Sequence, residues 1–109
     1  VKRLLPFLPE FGPLISSGLK TATARKRRYA APGEVLHTPW GPVEVLQVEE
    51  MELGRVAHEL WQAEGVRSPR AFVETWERCF PEAPFDPAER VFVHHFRLHV
   101  ERASEGANA

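Results

Sequence analysis

The run Gly18-Leu19-Lys20-Thr21-Ala22-Thr23-Ala24-Arg25 decides how the rest of this chain is read. It gathers two cations and two hydroxyls within eight residues. Ahead of it, Phe11-Gly12-Pro13-Leu14-Ile15-Ser16-Ser17 reads as a short helix, and Gly18 suits the left-handed conformation that commonly ends one. The chain leaves that helix as Lys20 begins. From Thr21 to Arg25 small and β-branched residues alternate, which predicts a strand. Alanine and threonine let a ligand approach the backbone closely, so the polar groups of the run are expected to face a cleft.

Upstream, Arg3 to Leu8 reads as a first strand, at an edge or bulged because Pro6 interrupts it. Downstream, Lys26-Arg27-Arg28 forms a basic tail and Tyr29 to Gly33 a turn. A strand is expected over Glu34 to Thr38, a hairpin turn at Pro39-Trp40-Gly41-Pro42, and a second strand over Val43 to Glu50. Strict alternation there places Val43, Val45 and Gln47 on one face and Glu44, Leu46 and Val48 on the other.

Two helices follow. Leu53, Val56, Ala57, Leu60 and Trp61 form one apolar stripe at helical spacing. One turn further the stripe calls for an apolar residue and finds Glu64. That carboxylate is also expected near a helix C-terminus, where the macrodipole disfavours negative charge. Breaking two local rules at one position points to function. Gly65 is read as the helix stop. Ser68 reads as the N-cap and Pro69 as the first residue of the next helix. Phe72, Val73, Trp76, Cys79 and Phe80 are its buried face, and Pro81 ends it. A loop from Glu82 to Glu89 leads to a last strand, Val91 to Val100. Phe92, Phe96, Leu98 and Val100 are its core face, interrupted by His94. Residues 1–102 are expected to form one domain and 103–109 a frayed tail.

The 109 residues, 43% of them hydrophobic with three Trp, suffice for a core and argue against disorder. No apolar run approaches the ~20 residues of a bilayer span, so no membrane partner is expected. The start, Val1-Lys2-Arg3-Leu4-Leu5-Pro6, lacks a signal-peptide pattern. The single cysteine, Cys79, excludes an internal disulfide and fits a reducing cytoplasm. A net charge of −1 argues against a protein that coats nucleic acid, yet leaves room for a local basic patch.

Each candidate has a plain structural reading beside the functional one. Lys20 is either a surface lysine at a strand start or a cleft residue. Thr23 is a good strand former that gains meaning only beside Lys20 and Glu64. Arg25 either holds the loop or contacts a ligand phosphate or base. Arg25 to Arg28 are either a solvated face or a landing site for a nucleotide or RNA backbone. His94 and His95 point to opposite faces of a strand, and His99 lies two strand steps from His95, so no metal site is expected. Cys79 is read as a core residue of its helix, and Trp40 as an aromatic packing across its turn.

The pattern Gly-x-Lys-Thr-x-Thr-x-Arg resembles the signature of the ASCH domain family, the activating-signal-cointegrator homology domains. Pro32-Gly33-Glu34-Val35-Leu36 is similar to that family's Gly-acidic-apolar strand opening. Glu64-Gly65-Val66-x-Ser68 is similar to the segment carrying its acidic residue. The resemblance spans roughly residues 3–100 and implies an α+β fold, mainly β: a PUA-like small β-barrel or pseudobarrel with two to three helices packed on it. It further implies either an RNA- or nucleotide-binding module or an enzyme like the small bacterial hydrolases that cleave N4-acetylcytidine to cytidine and acetate. Carried onto this chain, the catalytic residues of those enzymes are Lys20, Thr23 and Glu64. Gly18, Thr21, Arg25, Lys26 and Arg28 are then the substrate- or RNA-binding residues. No metal or organic cofactor is implied. A soluble cytoplasmic monomer is expected, with a small nucleoside or RNA as its partner.

Two assignments of that chemistry compete. Neutral Lys20 activates Thr23 while Glu64 orients groups, or Glu64 is the base while cationic Lys20 steadies the oxyanion. On an ideal strand Lys20 and Thr23 point to opposite faces. Cooperation therefore requires Lys20 to remain in the turn, or a bulge between the two.

Overall fold

In the computed structural model, which describes residues 3–99, the last strand lies in the middle of the sheet. The elements run α1 (Gly12–Ser16), β1 (Ala22–Arg25), β2 (Val35–Thr38), β3 (Gly41–Glu52), α2 (Leu53–Glu59), α3 (Pro69–Cys79) and β4 (Arg90–Leu98), with a 3-10 turn at Pro9–Phe11. The four strands form an antiparallel sheet in the order β1-β4-β3-β2. The sheet is not closed: β1 and β2 are its edges. Three α-helices accompany it, giving an α+β fold.

Both faces of the sheet are covered. On one, Ala22, Ala24, Met51, Val91 and Val93 pack against Leu53, Val56 and Ala57 of α2 and Phe72 and Trp76 of α3. On the other, Val43, Val45, Leu36 and Phe96 pack against Leu5, Phe11, Ile15 and Ala30. β4 therefore feeds two cores, where the pattern Phe92, Phe96, Leu98 predicts one. Val91 and Val93, wholly buried, supply the second. Burying each contributes about 1.5–3 kcal/mol of transfer free energy. Val100 lies outside the described residues, as does the tail.

Four sequence expectations need correction. The segment from Arg3 to Leu8 is no strand. It makes one parallel bridge, Leu4 to His37, with Leu5 N–H donating to His37 O (2.9 Å) and His37 N–H donating to Arg3 O (2.8 Å). Pro6, lacking an N–H, cannot extend the ladder. In β3, the register shifts between Val45 and Gln47, so Leu46 is extra and exposed. The bulge reverses the alternation: Val48 joins the Val43–Val45 core, and Gln47 turns out to solvent.

The helix α2 stops at Glu59 rather than running to Glu64. Residues 61–65 form turns, and the Ala63 carbonyl accepts two amides from the β1 edge, Thr21 N–H (2.8 Å) and Ala22 N–H (3.0 Å). Capture of that carbonyl draws the chain off the helix axis. Cys79 is exposed. Phe80, the C-cap of α3, packs inward, its ring centroid 4.6 Å from that of Trp76. The start of α3 is as expected: Ser68 Oγ accepts from Ala71 N–H at 3.0 Å, and Pro69 follows. Trp40 packs over Gly12 of α1, where an added Cβ would collide with the indole.

Candidate active site

A cavity of about 330 Å³ opens along the free edge of β1. The N-terminal segment supplies one wall through Phe7 and Phe11, and α3 supplies the other through Phe72, Trp76 and Phe80. Its polar groups include Lys20, Thr23, Arg25 and Glu64, with Thr75 and Cys79 on the α3 side. Residues far apart in sequence meet here because α1 and the turn after α2 both end against the start of β1.

The turn into β1 sets the position of Lys20. Gly18 has φ +81°, and the amides of Leu19 and Lys20 both donate to Leu14 O (2.9 and 3.0 Å). β1 begins only at Ala22, so Lys20 is still in the turn and shares the cavity with Thr23 despite their spacing. Lys20, Thr23 and Glu64 are all buried. The ammonium of Lys20 donates to Ala22 O (2.9 Å), Glu64 O (2.6 Å) and Glu64 Oε1 (3.2 Å). It also lies 4.4 Å from the centroid of the Phe11 ring and 5.8 Å from that of Phe7. Three acceptors and two aromatic faces surround the ammonium, and each favours its charged form.

Burial pushes the Lys20 pKa below the ordinary lysine value and that of Glu64 above the ordinary carboxylate value. Each opposes the other's shift through its charge. Glu64 Oε2 is buried and has no hydrogen-bond partner. An orphaned carboxylate oxygen beside a cavity is costly to the fold, and its retention calls for a role beyond packing.

Thr23 and Arg25 form a second pair. Arg25 Nε donates to Thr23 Oγ1 (3.1 Å) and Nη2 to Pro6 O (2.6 Å). The guanidinium lies over the rings of Phe7 and Tyr29, 5.0 and 5.3 Å from their centroids. No hydrogen bond joins Thr23 to Lys20 or Glu64 among the described residues.

Four other residues singled out in the sequence lie outside the cavity wall. Gly18 shapes the turn. Thr21 is exposed and spends its backbone on Ala63 and on Phe96 N–H (2.9 Å). Lys26 pairs with Glu89 at 3.6 Å and sits 4.5 Å from the Phe80 centroid, at the rim. Arg28 lies over Phe92 at 5.4 Å. Sequence reasoning passed over Phe7 and Phe11, whose spacing of four brackets Pro9, and treated Phe72, Trp76 and Phe80 as core alone. An i, i+4 aromatic series running along α3 onto its C-cap, Phe72, Trp76 and Phe80, is the signal that marks the last three. Among the described residues no three His, Cys, Asp or Glu side chains are grouped to hold a metal ion, and no helix is long and apolar enough to cross a membrane.

No family model matches the chain, and no curated protein does. Solved structures do match. The crystal structure of an ASCH domain from Lactobacillus crispatus JV V101 is similar with a TM-score of 0.64 and 16% identity, over 79% of this chain and 68% of that one. The chain has an ASCH-like fold. An Enterococcus faecalis V583 protein of family-model DUF984 is similar with a TM-score of 0.62 and 21% identity, over 84% of this chain and 74% of that one. At these identities the likeness carries the ASCH-like architecture and leaves the chemistry to be argued from the cavity itself.

Proposed function

We propose that this protein is an amidohydrolase acting on an acylated nucleoside, cleaving N4-acetylcytidine to cytidine and acetate. One observation carries the reading. A buried Lys20–Glu64 pair, with one carboxylate oxygen unpartnered, lies against an aromatic cavity that Thr23 also lines. Flat aromatic walls suit a nucleobase, and about 330 Å³ lies at the small end of ligand pockets.

The geometry favours Glu64 over Lys20 as the base. All three ammonium hydrogens of Lys20 are committed, so it offers no lone pair. Glu64 Oε2 has a free acceptor position, and a raised pKa makes it a stronger base near neutral pH. In the proposed sequence Glu64 takes the hydroxyl proton of Thr23, and Oγ1 adds to the acyl carbon. Charge moves to the carbonyl oxygen, steadied by the cations Lys20 and Arg25. The C–N bond then breaks, and protonated Glu64 returns its proton to the leaving nitrogen. Water adds to the Thr23 ester with Glu64 again as base. Collapse releases acetic acid, which ionises, and restores the threonine hydroxyl.

The test is acetate release from N4-acetylcytidine by wild type, Lys20→Met, Thr23→Val and Glu64→Gln, with folding checked by circular dichroism. Each variant is expected to lose about a hundredfold or more in kcat/KM. Full turnover by Thr23→Val would replace the acyl-threonine step with direct attack by water. No acetate from wild type would end the reading. In the pH profile, kcat/KM should rise as Glu64 ionises, at a pH above the ordinary 4.5. It should fall as Lys20 loses its proton, at a pH below the ordinary 10.5. The acid limb should vanish in Glu64→Gln.

A second reading, a non-catalytic RNA- or nucleotide-binding module, is favoured by Arg27 and Arg28. Both are exposed, each lies over an aromatic ring, and neither has a carboxylate partner among the described residues. It predicts RNA affinity that falls steeply with salt, and no acetate.

A further inference from the structure

A second hollow, of about 310 Å³, adjoins the first. Phe11, Val66 and Thr75 line both, so the two share a wall. Their chemistry differs. The first is aromatic with a buried ionic floor. The second is framed by two exposed charged side chains, Glu10 and Arg67, and Thr75 is common to both hollows.

The charges of the second hollow are unbalanced. Glu10 is bound to Arg78, whose Nη2 lies 2.6 Å from Oε2. Arg67 has no carboxylate within ion-pair distance among the described residues. Glu10, Arg78 and Arg67 therefore sum to one positive charge beside a hollow that opens to solvent. A guanidinium without a partner is suited to a phosphate, which it binds in bidentate fashion. The carboxylate of Glu10 accepts from neighbouring hydroxyls, and Thr75 is able to donate or accept.

We propose that the second hollow holds the sugar and 5′-phosphate of the substrate, so that the protein prefers an acylated nucleoside 5′-monophosphate over the nucleoside or the free base. The proposal rests on the amidohydrolase reading for the base and acyl group in the first cavity. With the acyl group against Lys20, Glu64 and Thr23, the base fills the aromatic compartment. The ribose then crosses the shared wall at Phe11, Val66 and Thr75, its hydroxyls reach Glu10, and its phosphate meets Arg67. A single unpaired cation beside a carboxylate matches one phosphate. A polynucleotide backbone would bring further negative charges against Glu10.

Binding decides the matter independently of turnover. The full chain is titrated with cytidine, cytidine 5′-monophosphate and cytidine oligonucleotides of increasing length, following tryptophan fluorescence, since Trp76 lines the first cavity. The monophosphate is expected to bind at least tenfold more tightly than cytidine. Arg67→Ala should bring the two to within twofold, and Arg67→Lys should restore part of the difference. Equal affinities in wild type, or a difference that survives Arg67→Ala, would overturn the proposal. So would an affinity that climbs with oligonucleotide length. Arg67 is exposed, which keeps these variants folded. Acetate release with no phosphate preference defeats this inference and spares the hydrolase. A phosphate preference without acetate release does the reverse.

Discussion

The two edges of the sheet are closed by different means, and the difference separates scaffold from site. At β2, backbone meets backbone: the Arg3–Leu5 segment exchanges two hydrogen bonds with His37. An ion pair, Arg3 with Glu34, dresses the surface there. At β1, the Ala63 carbonyl takes two amides, but the outward carbonyl of Ala22 is met by the ammonium of Lys20. An exposed edge invites pairing with other chains, so both must be blocked. Backbone does this at no electrostatic cost. A buried charge does it expensively, because taking two ions from water offsets most of what their attraction returns. Retaining Lys20 and Glu64 where apolar side chains would close the edge points to chemistry rather than folding.

The largest expected effect breaks that comparison directly. Glu64→Ala strands the buried ammonium of Lys20 and should cost about 3–5 kcal/mol in urea denaturation. Glu34→Ala, which removes the carboxylate at the exposed edge, should leave the midpoint nearly unmoved. The double variant Lys20→Met/Glu64→Leu should recover most of the stability lost in Glu64→Ala while remaining inactive. A double variant no more stable than the single one would mean that the ion pair serves the fold, and the contrast between the edges would collapse.

A smaller effect sharpens the contrast. Gly65 and Gly41 both have positive φ, +90° and +118°. Alanine at either adds backbone strain of about 1–2 kcal/mol. Around Gly41 the space is open, whereas a Cβ on Gly65 meets Lys20 Cβ at 3.2 Å and Leu14 Cδ1 at 3.3 Å. Gly65→Ala is thus expected to lose at least as much stability as Gly41→Ala, and far more of the acetate release. Parallel losses of activity would show that the position of Lys20 tolerates pressure from behind.

The local devices were legible in the sequence, and the long-range ones were not. Gly18, the β1 strand, the Ser68-Pro69 start of α3 and the hairpin at Trp40 follow from turn, cap and alternation chemistry that acts within a few residues. Glu64 stood out because it broke an apolar stripe, although the helix meant to carry it ends at Glu59. Its burial comes instead from Ala63, whose carbonyl is held by a strand some forty residues earlier. The bulge at Leu46 and the two-faced burial of β4 were hidden for the same reason. Both depend on which strands flank β4, and alternation within one strand carries no record of its neighbours. The aromatic walls of the cavity look like ordinary core residues until the open edge of β1 shows that no strand covers them.

The smallest effect concerns His94, which sits between the two edges. It is fully buried on β4, opposite Thr23 on β1 and Val48 on β3. Its Nε2 accepts from Tyr29 N–H at 2.9 Å, so the neutral ring carries its proton on Nδ1, which has no partner. Burial pushes its pKa below the ordinary 6.5; the carbonyls of Thr23 and Phe92 oppose the shift, and the charges of Arg25 and Arg28 add to it. The unfolded chain therefore takes up a proton more readily than the folded one. Stability should fall as pH drops below about 6.5, until the folded ring also titrates. One proton limits the slope to about 1.4 kcal/mol per pH unit. His94→Gln keeps an acceptor for Tyr29 and removes the titration, so urea midpoints between pH 6.5 and 5 should lose most of that slope. A slope unchanged in the variant would assign it to carboxylates. The ring facing Thr23 would then be a packing group, and acid sensitivity would reside at the charged edge rather than in the strand behind it.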